Sequence, residues 1–182
     1  MNLNEVLETV PAYARDLKLN FSALTQQPAL TEQQTWGTIV ASAIASRNQE
    51  FTQAALADAQ KHLSPQAFEA AKGAAAVMGM NNVYYRFLHL TSNETYRTIP
   101  ARLRMNVLRS HGIEQADFEL WSAAVSAING CAACVDSHEK VVREKGISEE
   151  AVLAAIRLAS VIHGLAAVLD AEKVAANQPV TA

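Results

Sequence analysis

The chain has 182 residues, half of them hydrophobic and 18% charged, which suits one domain with a substantial core and argues against two large ones. A net charge of −3 and a pI of about 5.9 give no basic surface of the kind that holds nucleic acid or anionic membrane, so those partner classes are set aside. Apolar runs such as Gly73 to Met80 fall short of the roughly 20 residues of a membrane span, and Met1-Asn2-Leu3-Asn4-Glu5 carries no basic region ahead of an apolar stretch, so a cytoplasmic protein is expected.

Seven Gly and five Pro leave few turn signals, and alanine is abundant, which together predict an all-α protein. In chain order, Pro11 opens a helix over about 11–24, and two more follow at about 32–46 and 49–61. Ser64-Pro65 is a cap followed by a first-turn proline and predicts a helix over about 65–90. Pro100 predicts a further helix at about 101–110. The next spans about 114–129 and ends at Asn129-Gly130, and one at about 131–145 stops at Gly146 after Arg143-Glu144-Lys145. Ser148-Glu149-Glu150 caps the last, at about 149–171. The first ten residues and about the last eight are assigned no element.

The sequence also matches itself at one constant offset. Ser42-Ala43-Ile44 falls on Ser126-Ala127-Ile128, Lys61 on Lys145, and Leu63-Ser64 on Ile147-Ser148, without a gap. Ala67, Ala70, Ala71 and Ala75 fall on Ala151, Ala154, Ala155 and Ala159, a weaker match in a chain so rich in alanine. The expectation is a single domain over 1–182 made of two duplicated halves, at about 30–90 and 114–173. The halves differ in chemistry: Glu119, Cys131, Cys134 and His138 face Thr35, Arg47, Glu50 and Ala54 in the alignment. One half scaffolds and the other reacts.

Cys131 and Cys134 are the only cysteines. A disulfide between residues three apart closes too short a loop to stabilise the fold much, so a redox or metal role is the stronger reading. The pair falls in the first turn of a helix, where unpaired N–H groups and the helix dipole favour a thiolate. Residues at this spacing on a helix lie within disulfide range, so the bridge opens and closes with little backbone movement. His138 is one turn beyond Cys134 on the same face and is suited either to moving a proton or to an ordinary backbone contact. Glu119 sits among Phe118, Leu120 and Trp121, a setting that suits a carboxyl taking and returning a proton. Its bland alternative is a solvated helix residue beside Glu114 and Asp117. The four together are also a conceivable tetrahedral zinc set, although no second cysteine pair exists to complete it. His62, His89 and His111 read as surface or core residues, as does His163 despite its apolar helix. Trp121, Tyr84, Tyr85, Met78 and Met80 read as packing or subunit contacts.

The ordered set Glu119, Cys131, Cys134 and His138, led in by Asn129-Gly130, resembles the active-site signature of the AhpD family of alkyl hydroperoxide reductases. The resemblance runs over nearly the whole chain, including Val10 to Asn20 and Asn81-Asn82-Val83-Tyr84-Tyr85-Arg86. More distantly, the chain is similar to carboxymuconolactone decarboxylases. The resemblance implies an antioxidant peroxidase with a redox-active disulfide and no metal or organic cofactor. Cys134 would attack the peroxide and become a sulfenic acid, and Cys131 would donate a proton and then resolve that acid. Glu119 and His138 would form the relay that deprotonates Cys134. A lipoyl-bearing dehydrogenase component would be the reductant, an AhpC-type peroxiredoxin the electron acceptor, and the assembly a homotrimer or higher homo-oligomer. Ala133 departs from the pattern, since some members carry a histidine there. The helix argument alone favours Cys131 as the more accessible nucleophile, and the choice of Cys134 comes from the resemblance. A thiol–disulfide carrier with little peroxidase activity of its own is the second reading, and a decarboxylase the third.

Overall fold

Helix starts in this chain are written in short polar side chains. Asn2, Thr31, Asn48, Ser64 and Ser148 each accept a hydrogen bond from a backbone N–H in the first turn that follows. A computed structural model describes residues 1–177, and among these no strand occurs. The helices are α1 (Leu3–Glu8), α2 (Arg15–Leu24), α3 (Glu32–Ser46), α4 (Gln49–Ala59), α5 (Pro65–Leu90), α6 (Thr95–Thr98), α7 (Val107–Ser110), α8 (Gln115–Ile128), α9 (Ala132–Glu144) and α10 (Glu149–Ala176), with a 3₁₀ turn at Ala12–Ala14. The all-α expectation holds. The last five residues of the unassigned C-terminal tail lie outside the described residues.

Two predicted helices need correction. The one expected at 11–24 starts only at Arg15, because Pro11 is extended (ψ 161°) and begins a short 3₁₀ turn instead. Ahead of it lies α1, closed by a capping box between Asn2 and Glu5. The helix expected at 101–110 shrinks to α7. Arg102 lies in the left-handed region (φ 51°), which an α-helix does not tolerate, so Pro100 starts no helix. The irregular stretch before α7 brings Met105, with Leu108 on α7, to the wall of a cavity described below.

At the centre α3 and α8 lie side by side, with α3 also against α10 and α8 also against α5. Trp121 on α8 is wholly buried, and its Nε1–H donates to the Gln34 carbonyl at 3.2 Å. The rings can sit there only because residue 37 is glycine: a Cβ on Gly37 would stand 2.0 Å from Trp121 Cζ2. Gly37→Ala should therefore destabilise the protein by about 3 kcal/mol or more despite alanine's better helix propensity, as read by urea unfolding. Gln33 and Gln34 both donate to the buried Asp117 carboxylate, at 2.6 and 2.8 Å, fixing the register of α3 on α8.

α10 corrects the search for long apolar runs: it holds an 18-residue window of mean hydropathy 2.0, apolar enough by length and composition to cross a membrane. Half of that window is buried within the protein, and Leu158, Ile162, Leu165 and Leu169 pack with Phe21, Ile39 and Phe51.

α1 is tied to the body through Asp58 on α4, which accepts from the Leu3 N–H at 2.8 Å and pairs with Lys61 at 2.7 Å. Burial pushes the Asp58 carboxyl up, but the hydrogen bonds from Lys61 and Leu3 outweigh it and leave the group below its usual value. A carboxyl depressed in the folded state stabilises the fold above its unfolded pKa, and that stability is lost as pH falls through its folded pKa. Asp58→Asn should thus cost about 1 kcal/mol at neutral pH, with the difference from wild type closing in acid, as read by denaturant titration across pH.

Candidate active site

The two cysteines owe their position to the turn between α8 and α9. Asn129 ends α8, and Gly130 takes a left-handed conformation (φ 67°) that only a residue without Cβ adopts readily. The Gly130 N–H bonds the Ala127 carbonyl and the Cys131 N–H bonds the Ser126 carbonyl, both at 3.1 Å, which is the Schellman pattern. α5 locks the turn from the side: Arg86 donates to the Asn129 carbonyl at 2.5 Å, Asn82 donates to Ser126 Oγ at 2.9 Å, and Asn129 Nδ2 donates to Asn82 Oδ1 at 2.9 Å. Cys131 thereby becomes the N-cap of α9, and Cys134 lies in its first turn, where the dipole favours an anion. The two are joined as a disulfide with Cα atoms 5.3 Å apart.

Accessibility runs against the helix argument. Cys131 is 1% exposed and Cys134 6%, and it is Cys134 that lines an open cavity of about 350 Å³. Asn81, Tyr85, Met105, Leu108, Ala133 and His138 are among its other walls. Cys131, at the cap, is screened from it.

Glu119 and His138 come from different helices and meet directly. His138 Nδ1 lies 2.5 Å from Glu119 Oε2, and both side chains are nearly buried. Glu119 is therefore not the solvated residue that its neighbours Glu114 and Asp117 suggested. His138 Nε2 faces Met78 Sδ at 3.1 Å, a weak acceptor, instead of a cysteine sulfur. Behind the pair the hydrogen bonding continues: Gln115 Nε2 donates to Glu119 Oε1, and His111 Nε2 meets Gln115 Oε1 at 2.9 Å. The backbone N–H of Ile113 donates to His111 Nδ1, leaving Nε2 as the donor toward Gln115, and the His111 ring stacks on Phe118 with centroids 4.3 Å apart.

Sequence reasoning missed four of these residues. Gln115 lies four residues before Glu119, on the same face of α8, and His111 lies eight residues before it, ahead of that helix, where it reads as an isolated histidine. Met78 and Asn81 reach the site from α5, on the face that also carries Asn82 and Tyr85. The other assignments to packing stand for Trp121 and Met80, which serve the core. His163 is exposed, 3.4 Å from Ser46, and is not among this cavity's walls. Among the described residues no three His, Cys, Asp or Glu side chains gather as metal ligands while the two cysteines are joined as a disulfide.

Taken together, a helical scaffold that holds a reactive CxxC at a helix start, with a carboxylate–imidazole pair beside it, defines a dithiol–disulfide oxidoreductase class. Residues 95–177 match the carboxymuconolactone decarboxylase family. A protein of Acidobacterium capsulatum named alkyl hydroperoxide reductase AhpD is 65% identical over 98% of this chain and 97% of its own length. Proteins of the same name from Solibacter usitatus and Koribacter versatilis are 62% and 60% identical, over 94% and 95% of this chain and 97% and 90% of their own lengths. The chain belongs to the AhpD family of alkyl hydroperoxide reductases.

Proposed function

We propose that this protein is an antioxidant alkyl hydroperoxide reductase that cycles Cys131 and Cys134 between dithiol and disulfide and also reduces an AhpC-type peroxiredoxin. The observation that carries the reading is the joint placement of Cys134 and His138 on one cavity, with His138 held by Glu119 behind it. In the reduced protein the Cys134 thiol passes its proton to His138 through a water in the shared cavity, because Nε2 rests against Met78 and not against the sulfur, while Glu119 accepts from Nδ1–H and stabilises the imidazolium that forms. The thiolate attacks the terminal oxygen of the hydroperoxide. An S–O bond forms, the O–O bond breaks, and the alkoxide takes the Cys131 proton to leave as an alcohol. The Cys131 sulfur then attacks the sulfenic acid, forming the disulfide and expelling hydroxide, which takes the proton from His138 and leaves as water. Two thiols are oxidised and one peroxide is reduced. Ala133 brings no second imidazole to this cavity, so His138 is its proton carrier.

A dihydrolipoyl group on a dehydrogenase component returns the disulfide to the dithiol, and the dithiol in turn passes electrons to the peroxiredoxin by exchange. A reactive pair in the first turn of α9, where the helix dipole favours a thiolate, supports both steps. The protein works in the cytoplasm, whose reducing pools keep such a pair cycling. It assembles as a homotrimer or higher homo-oligomer. The exposed apolar side chains Val83, Phe87 and Leu90 on α5, with Tyr96, Ile99 and Leu103 after it, support an assembly surface. We also read the chain as two related halves, because α3-α4-α5 and α8-α9-α10 recur in one order, and the first helix of each half packs on the third of the other.

The test is sustained consumption of an organic hydroperoxide by the isolated protein with dihydrolipoamide. Steady turnover is expected. Turnover that appears only after an AhpC-type peroxiredoxin is added would replace the peroxidase reading with that of a carrier.

A further inference from the structure

α5 presents two adjacent asparagines to the interior, and their circumstances differ. Asn82 is 1% exposed and satisfied at both ends of its carboxamide, by Ser126 and Asn129. It is a structural tie. Asn81 is 4% exposed, yet its Oδ1 is fully buried without a hydrogen-bond partner. Leaving such an acceptor unpaired costs about 1–3 kcal/mol, so its retention calls for a partner that arrives later. Asn81 lines the cavity of Cys134 and His138, whose remaining walls include the apolar Met105, Leu108 and Ala133 and the ring of Tyr85.

We propose that Asn81 is a substrate-binding residue for hydroperoxides with an apolar body, gripping the peroxide group with its carboxamide while Met105, Leu108 and Tyr85 enclose the hydrocarbon. The assignment rests on the peroxidase reading above and adds what holds the substrate. A carboxamide is suited to the task because it accepts and donates at once. Its oxygen accepts from the O–H of the hydroperoxide. Its N–H donates to the inner oxygen, where negative charge builds as the O–O bond breaks and alkoxide leaves. Donation to a charged oxygen is stronger than to a neutral one, so the contact tightens toward the transition state. The cavity volume of about 350 Å³ falls at the lower end of small-molecule sites, enough for a compact alkyl or aryl group.

The test compares oxidants whose leaving groups differ. Reduced wild type and Asn81→Leu, which keeps side-chain size but neither donates nor accepts, are mixed with cumene hydroperoxide or with a peroxycarboxylic acid, and loss of thiols is timed. The alkoxide from the first is a poor leaving group and needs the donor, whereas the carboxylate from the second does not. Asn81→Leu should slow the reaction with cumene hydroperoxide about 10- to 100-fold and that with the peroxy acid by much less. Reduction of its disulfide by dihydrolipoamide should stay close to wild type. Should Asn81→Leu not fold, Asn81→Asp, of nearly the same shape but with no N–H, should give the same ordering. Equal losses with both oxidants would mean that Asn81 only supports the fold, and slowed reduction by dihydrolipoamide alone would mean that it holds the reductant. Either result overturns the assignment. A wild type left reduced by hydroperoxide sinks the peroxidase reading along with it, whereas a reactive wild type beside an equally fast Asn81→Leu sinks this inference alone.

Discussion

Cys134→Ser should leave the protein inert to organic hydroperoxide, with its remaining thiol intact after the wild type has lost both. A serine hydroxyl stays protonated where a thiol ionises, and oxygen is a far poorer nucleophile toward peroxide than sulfur, so no residual route of comparable rate exists. Cys131→Ser is expected to behave differently. Cys134 still lines the cavity and still meets the peroxide, but nothing resolves its sulfenic acid, so the product should be one oxygen atom heavier and should react with a sulfenic acid trap. Intact-protein mass spectrometry separates these outcomes. The reverse pattern, an inert Cys131→Ser and a sulfenic Cys131 in Cys134→Ser, would exchange the two roles and contradict the exposure of Cys134 to the cavity.

Loss of the carboxylate–imidazole pair should be the next largest effect. Glu119→Gln removes the charge that holds His138, and His138→Gln removes the imidazole, and each should slow the thiol reaction at pH 7 by about 100-fold. Because the two act as a unit, the double variant should be little worse than either single one. The deficit should shrink above about pH 9, past the ordinary thiol pKa of about 8.5, since the thiol then ionises without help. A Gln115→Leu variant, which leaves Glu119 and His138 in contact but removes the hydrogen bond behind them, should lose about 10-fold or less. Stopped-flow measurement of thiol loss from pH 6 to 10 checks all of these. Single variants whose losses multiply in the double, or a deficit unchanged at high pH, would show that the pair does not act by ionising Cys134.

What the sequence disclosed and what it hid follow from the range of the interactions. Helices bounded by local chemistry were legible: Ser64-Pro65 announced α5, which runs from Pro65 to Leu90 as expected, and Asn129-Gly130 announced the turn that places the cysteines. The start of α1 is equally local in origin, since Asn2 and Glu5 form a capping box within the first ten residues. The stretch after Pro100 was misread because a proline there looks like a first helical residue, whereas Arg102 is left-handed and Met105 turns to the cavity. Site residues three to four apart on one helix, Cys134 and His138, were within reach of spacing arguments. The meeting of Glu119 with His138 crosses a turn between helices, and the approach of Met78 and Asn81 from α5 depends on tertiary packing, which periodicity does not encode. The order of exposure of the two cysteines is likewise a tertiary property, and the helix argument had it the other way round.

The most direct test of the central claim is a count of free thiols on the reduced wild-type protein before and after one equivalent of cumene hydroperoxide. Dithiol–disulfide peroxidase chemistry predicts that both thiols of each chain disappear together, that one equivalent of alcohol is formed, and that dihydrolipoamide restores both thiols. Two thiols surviving the peroxide unchanged would contradict it.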